Sequence, residues 1–490
     1  MKQLFIATIT LLSFSIQAQN NTLLDRGFWK KNPTVQAVDA EIKKGNNPTE
    51  LNSNAFDPTV LAINEQASNE VIRHLLAIKG NDVNKLTHDG RTYIFWAAWR
   101  GNIEIMEHLL KNGAKTNIFD DKGYSALNFA ASAGQANTKV YDLLIENGIN
   151  VKTDKDNKGA NALLLAAPHD KDFTLTNYFI GKGLDLNSTD KEGNTAFNYA
   201  ARVGNIETLK ALISKGVKYT DNAMLIASQG GRGTSNTLEV YQYLAGLKIN
   251  PNAVGKNGEN VFHSIVRKDK QEEIIAYFLS KGVDLNKADN DGNTPFMNAA
   301  ASNNDVKLIA NILQTVKDIN QKNSKGVTAL ALAVKGNTPE VVSLILQKGA
   351  DVKVIDRSGE NLSSYLIQSY NPEKKDIFEA KAKLLADKGF KIETQQKNGN
   401  TLYHLAVAKN DAHLVKLVGG YKSDINIKNN EGMTALHKAA LIAKDDTVLK
   451  QLLVDGAKKD VKTEMGETAY DLASENEYLT QNKVSIDFLK

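Results

Sequence analysis

The sequence predicts an all-α solenoid of stacked helix pairs, and three recurrences carry that prediction. First, a glycine in a polar turn returns at Gly90, Gly123, Gly159, Gly193, Gly258, Gly292, Gly326, Gly359, Gly399, Gly432 and Gly466, at spacings of 33, 36, 34, 65, 34, 34, 33, 40, 33 and 34 residues. Second, the residue two places after each of these glycines is Thr, Ser or Asn, a helix N-cap type, and a short alanine-rich apolar run follows it. Third, a later apolar pair runs into a closing glycine, as in Leu109-Leu110 with Gly113, Phe278-Leu279 with Gly282, Ile345-Leu346 with Gly349 and Leu452-Leu453 with Gly456. Such a glycine reads as a helix C-cap.

Taken in order, the chain opens on Met1-Lys2 and the 13-residue apolar run Leu4 to Ile16, followed by Gln17-Ala18. A positive start, a short apolar stretch and a small residue before the cut make residues 1–18 a signal peptide, too short to span a membrane at ~20 residues. The mature chain is therefore expected to be exported, periplasmic or secreted, with no membrane insertion after cleavage. Residues 19–52 read as a degenerate capping repeat, with Phe28 to Gly45 as its recognisable part. Residues 53–462 form the array, in which Phe56 to Asn84 repeats the helical part without the glycine turn. The interval of 65 residues conceals one further unit, marked by Ala223-Met224-Leu225-Ile226-Ala227. Residues 463–490 form a terminal cap whose Glu475-Asn476-Glu477 stretch supplies a polar outer face.

Within a unit, Asp291-Gly292-Asn293-Thr294-Pro295-Phe296 shows the local logic. Gly292 permits the positive φ of a tight turn, Thr294 caps the helix, and Pro295 takes the first helical position. Ala299 and Ala300 allow close packing of the first helix. After the second helix an extended piece is expected at Asp284-Leu285-Asn286, Asp318-Ile319-Asn320, Asp351-Val352-Lys353 and Asp424-Ile425-Asn426.

These units resemble ankyrin repeats. Thr434-Ala435-Leu436-His437-Lys438-Ala439-Ala440 and Thr401-Leu402-Tyr403-His404 are among the closest matches to the helix start of that family, and the resemblance covers about residues 28–480. It implies paired antiparallel helices joined by short β-hairpin fingers, a partner-binding concave groove, and a structural role for His263, His404 and His437, five residues after their repeat glycines. In the family that histidine bonds the Thr at the helix start. Thr401 and Thr434 supply the partner here, and Asn260 replaces it for His263.

Composition excludes several chemistries. The chain has no cysteine, so disulfides, thiol nucleophiles and Cys-ligated metals are absent. A net charge of +4 from 60 basic and 56 acidic residues is too even for a protein that neutralises nucleic-acid phosphates. The eight histidines show no metal-ligand spacing. Asp289-Asn290-Asp291-Gly292 fails as a calcium loop, because Lys287 and Asn298 would fall on its first and last ligand positions. Gly230-Gly231-Arg232-Gly233 has no Walker lysine and reads as an enlarged loop. No cofactor, no metal and no catalytic residue are expected.

The resemblance implies a non-catalytic, exported, monomeric scaffold that holds a protein partner in its concave groove and no nucleic acid. The alternative is a hydrolase or transferase whose site assembles across repeats. Candidate partner contacts are Trp99, Arg100, Arg202, Arg267 and Lys268, which fall at the ends of first helices, where side chains face the groove; Lys335 and Lys409 share that place. Trp and Arg are the residue types most enriched in binding hot spots. Trp96, earlier in the same helix as Trp99, is assigned to the core. The irregular repeats at 216–258 and 359–399, the latter swollen at Ser369 to Lys375, read as tolerated insertions or as binding loops.

Overall fold

A computed structural model describes residues 21–231 and 233–490 of the chain. The signal-peptide assignment to residues 1–18 lies outside the described residues. The chain falls into two compact units, the first running to Ala223 and the second starting at Met224.

In the first unit, helix pairs follow one another along the chain: Arg26–Lys30 with Val35–Lys43, Pro58–Asn64 with Asn69–Leu76, and Tyr93–Arg100 with Ile103–Lys111. Ala126–Ser132 with Thr138–Glu146, Ala162–Ala166 with Thr174–Gly181, and Ala196–Ala200 with Ile206–Ser214 complete it. The two helices of a pair pack on each other, and first helices stack on first helices and second on second, so each repeat completes its burial against its neighbours. The fully buried residues Ile94, Ala97, Ala98, Leu127, Ala130 and Ala131 lie on these shared faces. At the start of the chain, Trp29 is fully buried and its indole Nε1 donates to the Leu23 carbonyl at 2.8 Å.

The second unit repeats the plan. The concealed repeat consists of helices Asn222–Gln229 and Leu238–Gly246. In the 40-residue repeat the extra residues go into a 3-10 turn, Pro372–Lys374, and a lengthened second helix, Lys375–Asp387, of 13 residues. The last pair is Ala469–Glu475 with Glu477–Gln481, closed by Leu489, which is buried.

The expected β-hairpin fingers are corrected: the described residues contain no strand. The fingers are turns closed by two backbone bonds, as where Asp289 N–H donates to the Asn293 carbonyl at 2.9 Å and Gly292 N–H to the Asp289 carbonyl at 2.9 Å. One further bond joins such a turn to the next finger, as from Ser324 N–H to the Asp291 carbonyl at 2.7 Å. One backbone bond between successive fingers is too few to propagate a ladder. The turn glycine is required twice over. Gly292 has φ +77°, and a Cβ there would lie 3.0 Å from the backbone of Asn323 and Ser324 in the next finger.

The expected extended pieces are also corrected. In Asp284-Leu285-Asn286 the Asp284 carboxylate accepts from Asn286 N–H at 2.8 Å, making an Asx turn. The Asn286 amide then reaches the next repeat, donating to the Thr315 carbonyl at 3.0 Å and accepting from Lys317 N–H at 3.0 Å. Asn84 and Asn426 make the same pair of bonds one repeat onward.

Candidate functional site

The three repeat histidines are structural on both sides of the ring. Nδ1 of His404 accepts from Thr401 N–H at 3.2 Å and lies 2.8 Å from Thr401 Oγ1, so the proton sits on Nε2. That nitrogen donates to the Met433 carbonyl of the next repeat at 2.9 Å. His437 repeats the arrangement with Thr434 and the Val461 carbonyl, and His263 with Asn260 and the Asn293 carbonyl. Burial holds all three below the ordinary imidazole pKa. Among the described residues no group of His, Asp and Glu is placed to hold a metal ion. No described helix is long and apolar enough to cross a membrane.

The exposed end of helix Tyr93–Arg100 is different in kind. Trp96 is 4% exposed and its Nε1 donates to Thr87 Oγ1 at 2.9 Å, in keeping with a core assignment. Trp99 is half-buried: its ring lies 6.0 Å from Trp96 and 6.3 Å from Phe129, and the rest of it faces outward. The Arg100 guanidinium stacks 4.1 Å over Trp99, and its buried Nε has no hydrogen-bond partner. Burial lowers the Arg100 pKa, opposed by the nearby Glu65 carboxylate.

Around this pair the structure assembles rings that sequence reasoning missed. Phe56 stacks on His88 at 4.6 Å and meets Trp96 edge-on at 5.5 Å, while Phe129 meets Trp96 edge-on at 5.6 Å. Phe56, Trp96, Trp99 and Phe129 thus form one stripe over three consecutive repeats, and all but Trp96 are half-exposed. Arg91 fixes it from below. Its guanidinium lies 4.2 Å over Phe129 and 5.4 Å over Trp96, and it is paired with Asp120 at 2.7 Å and Asp89 at 3.2 Å. The signal was present in the repeat register, because Trp96 and Phe129 both stand six residues after their turn glycines.

The other candidate contacts are placed less favourably. Arg202, in the first unit, is half-buried, and its charge is felt at Tyr124. Arg267 and Lys268 belong to the second unit. Exposed Arg267 donates to Asn298 Oδ1 at 3.1 Å, and half-buried Lys268 donates to the Ser228 carbonyl at 2.9 Å. Both therefore tie adjacent repeats together. Lys335 and Lys409 are exposed.

A family model of ankyrin repeats in three copies matches the chain in overlapping segments, together spanning residues 32–356 and 371–484. The chain belongs to the ankyrin-repeat family. Among curated relatives, alpha-latrotoxin-Lg1a of Latrodectus geometricus is 32% identical over 142 residues, which is 29% of this ankyrin-repeat chain and 10% of the toxin. The putative ankyrin repeat protein FPV031 of fowlpox virus is 31% identical over 126 residues, 25% of this chain and 35% of the viral protein. The E3 ubiquitin-protein ligase KEG of Arabidopsis thaliana is 25% identical over 416 residues, 82% of this chain but 21% of the ligase. The chain thus spans between a tenth and about a third of the length of these relatives. Among solved structures, the ankyrin repeat domain of Bcl-3 aligns over its full length with 46% of this chain, at 19% identity and a TM-score of 0.36.

Proposed function

We propose that this ankyrin-repeat chain is a non-catalytic protein–protein interaction scaffold, exported and monomeric, that holds an extended segment of a protein partner. Ankyrin repeats are in general protein-binding modules, and the matched region of this chain consists of them. The observation that carries the reading is the aromatic stripe of the first unit. Three of its four rings stay half-exposed although a buried arginine pins the group in place. Rigid, amphipathic rings offer contact area at little ordering cost, which is what a preorganised binding surface requires. Arg100 adds a guanidinium stacked on the Trp99 ring, a cation beside the rings.

The test is capture of a native partner from an envelope extract by the mature chain and by a Trp99→Ala/Arg100→Ala variant. Loss of capture with thermal unfolding little changed is the expected outcome. An equal loss of stability would assign the pair to packing and remove the reading.

A further inference from the structure

A second site lies in the first unit, away from the aromatic stripe and independent of it. The connectors that follow two successive second helices, Ile103–Lys111 and Thr138–Glu146, enclose an open cavity of about 260 Å³. Asp154 and Ser125 line it, with Phe119, Asn117 and Lys155 towards the outside. Asp154 is only 9% exposed, yet its carboxylate is bonded on one oxygen alone, Oδ2, which accepts from Ser125 Oγ at 2.5 Å. Burial pushes the carboxyl pKa up, the Ser125 hydroxyl opposes this, and no cation contributes. A buried carboxylate without a counter-ion is costly unless something pairs with it.

The repeat register shows what that something is. Asp154 stands five residues before its turn glycine, and Lys85 is its counterpart in the repeat of Gly90. Lys85 reaches back to the N-cap of the preceding first helix, where its ammonium lies 2.7 Å from the buried Asp57 carboxylate. Asp154 reaches back to the same place, the N-cap Ser125. One junction therefore holds a carboxylate with its ammonium, and the other holds a carboxylate, no ammonium and an open cavity. None of the other repeat glycines has an acidic residue at this position.

We propose that the cavity binds a primary ammonium on an alkyl chain, the side chain of a lysine presented by a partner, with Asp154 Oδ1 accepting from the ammonium. The ring of Phe119, 55% exposed, covers the methylenes and adds a cation–π contribution. Lys155 stands at the rim, exposed, where solvent screens its charge from the bound ammonium.

The experiment is calorimetric titration of the whole chain with three probes: Nα-acetyl-lysine methylamide, n-butylamine, and the lysine probe acetylated on Nε. Saturable binding of the lysine probe, absent for its Nε-acetylated form, is expected. Comparable binding of butylamine would show that the ammonium and its alkyl chain suffice, so that the source can be a free amine; weaker binding would assign the site to peptide lysine. In Asp154→Asn, which retains the shape and an acceptor for Ser125, affinity for the lysine probe should drop roughly thirtyfold or more. The proposal is overturned if neither amine saturates, if the Nε-acetylated probe binds equally well, or if Asp154→Asn binds unchanged. The three-probe comparison on the unaltered chain decides the matter even if that variant does not fold.

Discussion

At the residue scale, the chain joins neighbouring repeats through single buried polar groups whose removal leaves a partner stranded. Asp57 is the clearest case. Its Oδ1 caps Val60 N–H at 2.8 Å, and its Oδ2 accepts from Tyr93 Oη at 2.6 Å and pairs with Lys85 at 2.7 Å. Lys85 also donates to the Thr49 carbonyl at 2.8 Å, tying the opening segment to the array. Lys85→Met keeps the alkyl stem but leaves a fully buried carboxylate without its cation. A loss of about 3 kcal/mol in unfolding free energy is expected, read by denaturant titration. Asp57→Asn/Lys85→Met together should recover part of it, because the stranded charge is then removed. That Lys85, 28 residues on, completes the group around Asp57 could not be read from either residue's surroundings in the sequence.

At the element scale, asparagines ahead of the second helices reach back to the carbonyls that end the previous repeat's first helix. Asn303 Nδ2 donates to the Val266 and Lys268 carbonyls at 2.9 and 3.1 Å, and Asn337 Nδ2 to the Ala300 and Asn303 carbonyls at 3.0 and 2.7 Å. Helix ends leave such carbonyls without intrahelical donors, so each asparagine closes its neighbour's helix. Asn337→Ala strands two buried acceptors and should cost about 1–3 kcal/mol in stability, measured by thermal or denaturant unfolding. In the 40-residue repeat a lysine serves the same end, for Lys381, 2% exposed, donates Nζ to the Val334 carbonyl at 2.9 Å. Its lengthened helix was not legible as such. The extra residues Ser369 to Lys375 looked like a loop, whereas most of the added length became another helical turn that carries Lys381 inward.

At the scale of the whole molecule, buried titratable groups of this kind impose a stability profile in pH. His263, His404 and His437 titrate below the ordinary 6.5 because burial disfavours the imidazolium. As pH falls below 6.5 the unfolded chain takes up these protons first, so the folded state loses stability through that window. Lys381, lowered by burial to about 8 from 10.5, has the same sign at the other end. The unfolded chain holds the extra proton above about 8, so Lys381 makes stability rise with pH there, until near 10 the unfolded chain sheds tyrosine protons that burial keeps on Tyr93, Tyr141 and Tyr241 in the fold. Denaturant midpoints measured across pH should therefore climb in both windows. His404→Gln/His437→Gln should flatten the acid limb and Lys381→Met the alkaline one; an unchanged profile would mean that these groups are not buried as described.

The sequence by itself determined the repeat, its period, its caps and its family, because each depends on a few adjacent residues: a glycine that must adopt positive φ, a hydroxyl or amide that must cap, and alanines that must pack. It also led to Trp99 and Arg100, since an aromatic and a cation at a helix end stand out against small neighbours. What only the tertiary structure decided is how side chains some 30 residues apart meet across a stack: Phe56 and Phe129 with Trp96, Lys85 with Asp57, and Asp154 with Ser125 beside an open cavity. Stacking makes each repeat's surface the complement of the next, so a contact between repeats belongs to a register of two units and to no single stretch of chain.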